Sequence, residues 1–506
     1  MRRFLVTSAA LAALVTGGAG TASAQTLRDA LAQAYRSNPT ITAERATLRA
    51  NDENVPIQRA SGLPGVSSSG GYSENLYDSG GGAGPLRSAT GRVDLSVPVY
   101  TGGAVRGSVR AAETRIEAGR AALRGTEADL FTQVVAAYND VIRDEAIVRL
   151  NQLNVRVLRT NLQAARDRFE VGDLTRTDVA QSEARLALAE GQLRNVEAGL
   201  IGSRENYIRV VGTPAGTLQA PPPLPNLPAD PQAAVEVALA SNPDLEAAQK
   251  QRDATRYDVQ VARAGRLPRV GVSVGTAYQN YLGSVGNAAA LAGFRNDSLG
   301  LTGGVNLTLP LFQGGRPAAQ VRQAEARRSA AIENVTFAER GVVSQTRSAY
   351  ANWQSALQVI ASSEVAVEAN KLSLEGVRAE NSVGTRTILD ILNAEQELLN
   401  SQVTLVSARR NAYVAGFALL AAMGRAEADD LNLGDIGPLY DPVQNYDRVR
   451  RRIGDWGGDG EPAAVATRTT DTAPQTPAVA ADPTLGDPAL QRPVDSTGRN
   501  PAGTPR

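Results

Sequence analysis

The sequence contains no cysteine and no histidine among its 506 residues. Without cysteine the chain can form no disulfide, can use no thiolate nucleophile and can carry no lipid on an N-terminal cysteine. Without histidine it has neither a Ser–His catalytic pair nor the common imidazole ligand of zinc. The sequence also has no nucleotide-binding loop or other catalytic constellation, so we expect no enzymatic activity, no cofactor and no metal site.

Aromatic residues and net charge are also scarce. Phe, Trp and Tyr make up 4% of the chain, and its 52 basic residues balance its 52 acidic ones. A neutral chain lacks the basic surface that nucleic acid requires, so no nucleic-acid partner is predicted. The low aromatic content is unusual for a compact globular core, whereas abundant alanine is typical of long helices packed through small side chains.

The first 24 residues have the features of a secretory signal peptide. Arg2 and Arg3 form the charged start, Phe4–Val15 is the apolar core, and Ala22 and Ala24 frame an A-x-A cleavage site. The mature chain is therefore predicted to begin at Gln25. No later stretch is apolar for about 18 residues, so no transmembrane helix is expected.

The mature sequence is a duplication. Leu95–Gly103 reads LSVPVYTGG and matches LTLPLFQGG at Leu307–Gly315, while VGDL at Val171–Leu174 matches VGTR at Val383–Arg386. Both pairs share an offset of about 212 residues. Solenoid repeats have periods of about 20–50 residues, so this offset indicates a duplicated unit of domain size.

The two halves have the same predicted plan, which sets the domain boundaries. The predicted segments are a signal peptide at 1–24, a first repeat at 25–220, a Pro-rich linker at 221–230, a second repeat at 231–425 and a C-terminal extension at 426–506, disordered from about residue 457.

Each repeat predicts a short helical region, two strands and two long helices. Alternating apolar residues predict strands at about 92–100, 268–280 and 299–311, and a less regular strand is predicted at about 63–73. The proline-free stretch 104–170 predicts one very long helix, or two joined end to end, and its counterpart covers about 316–381. The helices reverse at glycine-containing tips at about 171–175 and 383–387, where Thr175 or Thr177 can cap the first returning helix.

Four strands per chain are too few to close a barrel, and lipid does not tolerate an open sheet edge. We therefore expect three chains to share one barrel of about twelve strands. Tyr100 and Phe312 stand at the strand–helix corners, where an interfacial aromatic belt would lie. The alternative is a soluble hairpin with an ordinary capping aromatic residue.

These features together resemble the TolC family of outer-membrane efflux and secretion channels. The resemblance is carried by Asn38-Pro39 and its repeat Asn242-Pro243, by the LPLFQGG corner, and above all by Val383–Leu392, which is close to a family signature. It implies a mainly α-helical chain of two tandem repeats, each with a long coiled-coil hairpin and a β-hairpin. Three such chains would close a twelve-stranded outer-membrane barrel above an α-helical periplasmic tunnel.

The resemblance also implies a function and partners. The homotrimer would be the passive exit duct of a tripartite efflux pump or a type I secretion system, embedded in outer-membrane lipid. It would dock to a periplasmic adaptor, also called a membrane fusion protein, and receive substrates from an inner-membrane RND or ABC transporter. By the same resemblance the docking end consists of the two tips, namely Val171, Gly172, Asp173, Leu174, Val383, Gly384 and Thr385.

A periplasmic gate is implied by residues near the tips. Arg386 and Asp178 match residues that bridge neighbouring hairpins and hold the channel closed, and Thr177 matches a partner of that arginine. Asp390 matches a carboxylate ring at the constriction. Two positions depart from the family pattern: Asn393 replaces a second acidic residue and makes any second ring uncharged, and Asn381 stands where a gating tyrosine is common.

Simpler interpretations of these residues remain open. The glycine tips can be mere turns, and Asp178 and Asp390 can simply complement the helix dipole from the first turn. Arg386 and Asp390 can form a solvated pair four residues apart. For the whole chain, the alternatives are a periplasmic adaptor, which typically has one hairpin and a lipoyl-like β domain, and a coiled-coil structural protein of the cell envelope.

Overall fold

The computed structural model of the chain describes residues 25–77, 85–225, 227–285, 293 and 295–479. The predicted signal peptide at 1–24 and residues 78–84 lie outside these residues. So does the end of the C-terminal extension, residues 480–506.

The first repeat contains five helices and two strands within the described residues. They are α1 Leu27–Ser37, α2 Pro39–Asp52, α3 Asn54–Ala60, β1 Gly65–Glu74, β2 Arg87–Tyr100, α4 Ala104–Glu170 and α5 Arg176–Val211.

The second repeat follows the same order after the Pro-rich linker. Its elements are α6 Pro231–Ser241, α7 Pro243–Ala264, β3 Arg269–Asn280, β4 Asp297–Thr308, α8 Arg316–Ser382 and α9 Ile388–Ala422. A 3₁₀ turn at Leu433–Asp435 and the short helix α10, Gln444–Val449, complete the described elements.

The Asn-Pro pairs are joints between short helices. Asn38 ends α1 and caps α2, where its side chain accepts a hydrogen bond from the Thr40 N–H at 2.8 Å. Its amide also donates to the Val210 carbonyl at the end of α5, at 2.8 Å. Asn242 repeats the arrangement and donates to the Ala422 carbonyl at 3.1 Å. Each pair therefore ties a helix joint to the end of the returning helix.

Helices α4 and α8 are single, unbroken helices of 67 residues each. At 1.5 Å per residue each is about 100 Å long. One face of α4 is fully buried at Phe131, Val135 and Tyr138. Within the described part of the chain, no helix is long and apolar enough to cross a membrane.

The four strands form one antiparallel sheet in the order β1-β2-β3-β4. Register places Leu95 beside Val66 on one side and Val274 on the other, and Val272 beside Val97 and Val305. Because side chains alternate along a strand, these apolar residues share one face. The opposite face carries polar residues such as Arg92 and Asp94, whose side chains pair at 2.8 Å.

Both edges of the sheet lack a strand partner in the described part of this single chain. Strands β1 and β4 are exposed along their whole lengths. The strand predicted to end at residue 311 ends at Thr308, since the facing strand β3 begins at Arg269 and offers no further backbone to pair with. The stretch that includes Phe312 therefore continues beyond the sheet without a ladder partner.

The largest apolar core lies at mid-height of the long helices, where both repeats meet. It joins α1, α4, α5 and α9 around Phe131, Tyr138, Tyr207 and Phe417. The Tyr138 hydroxyl lies 2.9 Å from the Gln25 carbonyl and 2.7 Å from the Gln219 carbonyl, between the start of the described chain and the segment after α5. This core fixes the relative position of the two repeats.

The C-terminal extension packs back on the first repeat. Arg28 pairs with Asp435 at 2.7 Å, and the Tyr35 hydroxyl accepts from the Tyr440 N–H at 3.1 Å. Further along, the Thr467 N–H donates to the Ser37 carbonyl at 3.4 Å. Disorder from residue 457 stays a prediction, and this contact argues against it around residue 467.

Glu127 on α4 generates a prediction about pH. It is 8% exposed, and burial raises the pKa of its carboxyl to about 7; the Ala428 N–H, which donates to it, opposes this rise, while Glu427 adds to it. Between pH 4.5 and about 7, the Glu127 carboxyl is therefore protonated in the folded chain and ionised in the unfolded chain. The contribution of Glu127 to the free energy of unfolding is therefore largest below pH 4.5 and falls as pH rises to about 7.

Glu127→Gln removes this charge and retains an oxygen that accepts from the Ala428 N–H. The variant should unfold at a higher temperature than the wild type at pH 8, by an amount equivalent to about 2–4 kcal/mol, and nearly equal it at pH 4.5. Thermal unfolding at both pH values measures this. The control is Glu368→Gln on the exposed face of α8, which should behave alike at both. A wild-type stability equal to that of the variant at pH 8 would contradict the prediction.

Candidate functional site: the hairpin tips

The two tips have the same backbone design. In the first, the Gly172 N–H donates to the Phe169 carbonyl at 3.0 Å and the Asp173 N–H to the Arg168 carbonyl at 2.9 Å. This is a Schellman motif, which ends a helix with a residue of positive φ. The second tip has the same two bonds at the equivalent positions of the second repeat. The backbone φ is +84° at Gly172 and +82° at Gly384. Both glycines are therefore required by backbone conformation.

Each returning helix begins three residues later with a capping box. Thr175 caps α5, and its hydroxyl and N–H donate to the Asp178 carboxylate at 2.7 and 3.0 Å. Thr387 caps α9 and makes the same two bonds to Asp390, at 2.8 and 3.0 Å. Of the two candidate threonines, Thr175 and Thr177, Thr175 is therefore the residue that caps α5. Within one chain, Asp178 and Asp390 act as capping residues.

The other predicted gate residues lie apart within the single chain. Arg386 pairs with Glu380 of its own hairpin at 2.7 Å rather than with Asp178. Thr177 lies exposed in the first turn of α5. Asn381 closes the second tip locally, since its side-chain amide donates to the Arg386 carbonyl at 2.7 Å.

The charges at the second tip stabilise one another. Hydrogen bonds from the Thr387 side chain and backbone, assisted by Arg386, lower the pKa of the Asp390 carboxyl. The hydrogen bond to Glu380, with the nearby Glu380 and Asp390 charges, raises the pKa of the Arg386 guanidinium. Both groups are therefore charged at neutral pH and available to a partner from another chain.

Apolar side chains project from both tips. Val171 is 80% exposed and Val383 is 74% exposed. Valine at the end of a helical hairpin contributes nothing to the fold when it lies in water, because it buries little surface there. The two valines, at equivalent positions of the repeat, therefore suit contact with another molecule.

Above the tips, polar residues connect the two hairpins, and sequence reasoning missed this cluster. Glu395 on α9 accepts from the Asn161 amide of α4 at 3.0 Å and from Arg378 of α8 at 2.9 Å. Arg185 of α5 donates to Asn393 at 2.6 Å. Asn393, predicted as part of a constriction, thus links hairpins within one chain. The sequence signal that could have revealed this cluster is an Arg–Glu pair that occurs at equivalent positions of both repeats.

The predicted interface aromatics lie at the two strand–helix corners. Tyr100 is the last residue of β2, just after a bulge at Val99, and is half exposed. Phe312 lies between β4 and α8 and is largely exposed. No cluster of residues suited to a metal ion occurs among the residues that the structure describes.

The duplicated fold and its tips correspond to a known family. The family model described as "Outer membrane efflux protein" matches residues 30–213 and 234–425, which is more than half of the chain. The chain therefore belongs to the outer membrane efflux protein family. It is an outer-membrane exit channel of the TolC family, with its helical part in the periplasm.

Individual relatives agree with this assignment. The outer membrane efflux protein BepC of Brucella suis is 32% identical over 445 residues, covering 86% of this chain and 92% of its own. The alkaline protease secretion protein AprF of Pseudomonas aeruginosa is 28% identical, covering 61% and 64%. The crystal structure of VceC from Vibrio cholerae superimposes with a TM-score of 0.66 at 22% identity, covering 79% and 96%. That similarity confirms the predicted fold.

The tip geometry predicts a difference between two glycines that both have free space around them. A Cβ at either Gly384 or Gly376 would meet no atom within 4 Å. Gly384 has a positive φ, whereas Gly376 lies inside α8. Gly384→Ala should therefore destabilise the tip by about 1–2 kcal/mol, while Gly376→Ala should stabilise its helix by about 0.5–1 kcal/mol.

Amide hydrogen exchange at residues 380–390 measures this difference. Exchange should accelerate in Gly384→Ala and slow or stay constant in Gly376→Ala. Equal exchange in the two variants would show that the positive φ at Gly384 is not maintained in solution.

Proposed function

We propose that three chains form a passive duct that carries substrates from an inner-membrane transporter and a periplasmic adaptor across the outer membrane. The observation that carries the proposal is the four-stranded sheet, whose two edges are both unpaired and whose one face is apolar. Pairing β4 of one chain with β1 of the next would satisfy both edges. Three chains would then supply about twelve strands, within the range of outer-membrane barrels.

The exposed side of the second hairpin supports the same assembly. Helix α8 is much more exposed than its repeat counterpart α4, and its large apolar residues Phe337, Val365 and Leu372 lie open to solvent. A neighbouring first hairpin would cover this face just as α9 covers α4 within the chain. The tunnel would thus consist of six hairpins with alternating seams within and between chains.

Docking is assigned to the tips, which in this assembly lie farthest from the membrane. Val171–Leu174 and Val383–Thr385 would contact the periplasmic adaptor, which in turn would connect the duct to an RND or ABC transporter. Tyr100 and Phe312 would lie at the lipid interface, as is common for aromatic residues of membrane proteins. The duct would have no chemistry of its own, so the transporter would supply the energy.

The gate is proposed at the same end. Arg386 and Asp178 would bridge neighbouring chains in the closed state, and three copies of Asp390 would ring the axis. Arg386 is half exposed and pairs locally with Glu380, so it is accessible to a neighbouring hairpin. Asn381 and Asn393 would leave this gate without the tyrosine and the second acidic ring that are common in the family.

Replacing Arg386 tests the bridge. Arg386→Ala should raise the open fraction of single channels several-fold in planar lipid bilayers, because three symmetric contacts are lost at once. Arg409→Ala is the matched control, since Arg409 forms a similarly exposed pair with Glu364 at 3.0 Å, far from the tip. Unchanged gating in Arg386→Ala, or equal changes in both variants, would reject the bridge.

Replacing Asp390 tests the ring. Asp390→Asn keeps an oxygen that can accept from Thr387 but removes the charge, so cation selectivity and block by multivalent cations should decrease. Glu368→Gln is the control, because it removes an exposed charge on α8 away from the tip. Reversal potentials in a KCl gradient compare the two variants. Unchanged selectivity in Asp390→Asn would leave helix capping as the role of Asp390.

A further inference from the structure

The C-terminal extension carries two exposed apolar side chains in one loop, residues 450–459, which follows α10 and is called the Trp456 loop below. Trp456 is fully exposed and Ile453, three residues before it, is 75% exposed. The sequence has only two tryptophans, and the other, Trp353, packs against the main core. Trp456 contributes no such packing, so its position is explained by contact with another molecule rather than by folding.

The Trp456 loop has a fixed shape. Arg448 donates two hydrogen bonds to the Asp459 carboxylate, at 2.8 and 2.7 Å, and Arg452 donates a third at 3.2 Å. Arg452 also lies across the backbone at Gly457, where a Cβ would be 2.6 Å from its Nη2 atom. The two arginines therefore join the ends of the loop and leave its apolar side chains on the outside.

Contacts of α10 show where the loop lies on the molecule. Tyr446 packs against the small cluster that contains Val55 of α3. Four residues further along both segments, the Arg59 side chain of α3 donates to the Arg450 carbonyl at 3.1 Å. The chain from Tyr446 to Arg450 therefore runs beside α3 and in the same direction, which is toward the sheet.

The loop is long enough to reach the corners where helices meet strands. Strand β1 begins at Gly65, six residues after Arg59, and Gly65 pairs with Ser96 near the end of β2 at Tyr100. An extended chain spans about 3.3 Å per residue, so residues 453–456 can lie about 10–20 Å beyond Arg450. That reach brings the apolar side chains of the loop to the level of Tyr100.

The chemistry of the loop fits a phospholipid surface. Tryptophan is enriched where membrane meets water, because its ring is apolar and its N–H can still find a hydrogen-bond acceptor there. Residues 447–459 contain four arginines and three aspartates, which gives a net charge of +1. Most of these charges pair within the segment, as Arg450 does with Asp447 at 3.2 Å. An apolar pair flanked by arginines is typical of segments that lie in the headgroup region.

We propose that the Trp456 loop inserts Ile453 and Trp456 into the headgroup region of the periplasmic leaflet of the outer membrane. This rests on the strand–helix corners lying at the lipid interface, as proposed above for Tyr100 and Phe312. Three chains would place three such loops around the duct, just below the barrel. The C-terminal extension thereby attaches the upper part of the helices to the membrane surface.

Tryptophan fluorescence tests the insertion. Trp353→Phe leaves Trp456 as the sole tryptophan, and Trp456→Phe leaves Trp353 as the matched control. Both proteins are reconstituted in vesicles of phosphatidylcholine and phosphatidylglycerol, with or without lipid brominated near the headgroup end of its acyl chains. Brominated lipid should lower the Trp456 emission about two-fold. Trp353 should change little, because it lies 37 residues along α8 from Arg316, or about 55 Å. The wild type minus Trp456→Phe gives the same signal should Trp353→Phe not fold.

A third protein separates failure of this inference from failure of the membrane placement. Leu301→Trp, in a chain with Phe at both natural tryptophan positions, puts the probe on the apolar face of β4, four residues before Val305. If brominated lipid quenches that probe but not Trp456, and acrylamide quenches Trp456 in vesicles as it does in detergent, the loop lies in water and the inference is wrong. If neither probe is quenched, the sheet is not in lipid, and the placement and the inference fail together.

Discussion

The unpaired backbone at the two edges of the sheet is the constraint on which the rest of the structure depends. Strands β1 and β4, of 10 and 12 residues, each pair with one neighbouring strand, and no described segment of the chain pairs with their outer edges. Donors and acceptors left unpaired in lipid cost several kcal/mol each, which is far more than any surface contact in this chain can offset. An apolar face on such a sheet is therefore compatible with a membrane only if other copies complete it, and the helices that continue from each strand must then follow the same ring.

Duplication meets this requirement with one plan used twice. The same Schellman tip, capping box and Asn-Pro joint appear in both repeats, so six hairpins in a trimer would have nearly equal shapes. The differences are concentrated where surroundings differ. Glu395 is buried by the first hairpin while Glu183 faces solvent, and α4 is covered while α8 is not. Equal shape would allow the hairpins to close a ring, and the unequal side chains fit their different surroundings.

Much of the architecture follows from local patterns. Alternation of apolar residues located β2, β3 and β4, and the proline-free stretch 104–170 predicted the long helix α4. Features that depend on distant partners were not predictable. The end of β4 at Thr308 is set by where β3 begins, and Glu395 is held by Asn161, 234 residues away. The positions of Asp178 and Asp390 in the first turn of a helix are local and were predicted from the sequence, whereas a place of Asp390 in a ring would depend on other chains.

Native mass spectrometry of the complex extracted in mild detergent from outer membranes tests the central claim most directly. It counts the chains that complete the sheet, without assuming how the duct opens or what it carries. The account predicts a single species with three times the mass of the mature chain, which denaturation converts to one chain mass. A folded single chain, or a complex with any other number of copies, would contradict the proposal that three four-stranded sheets share one barrel.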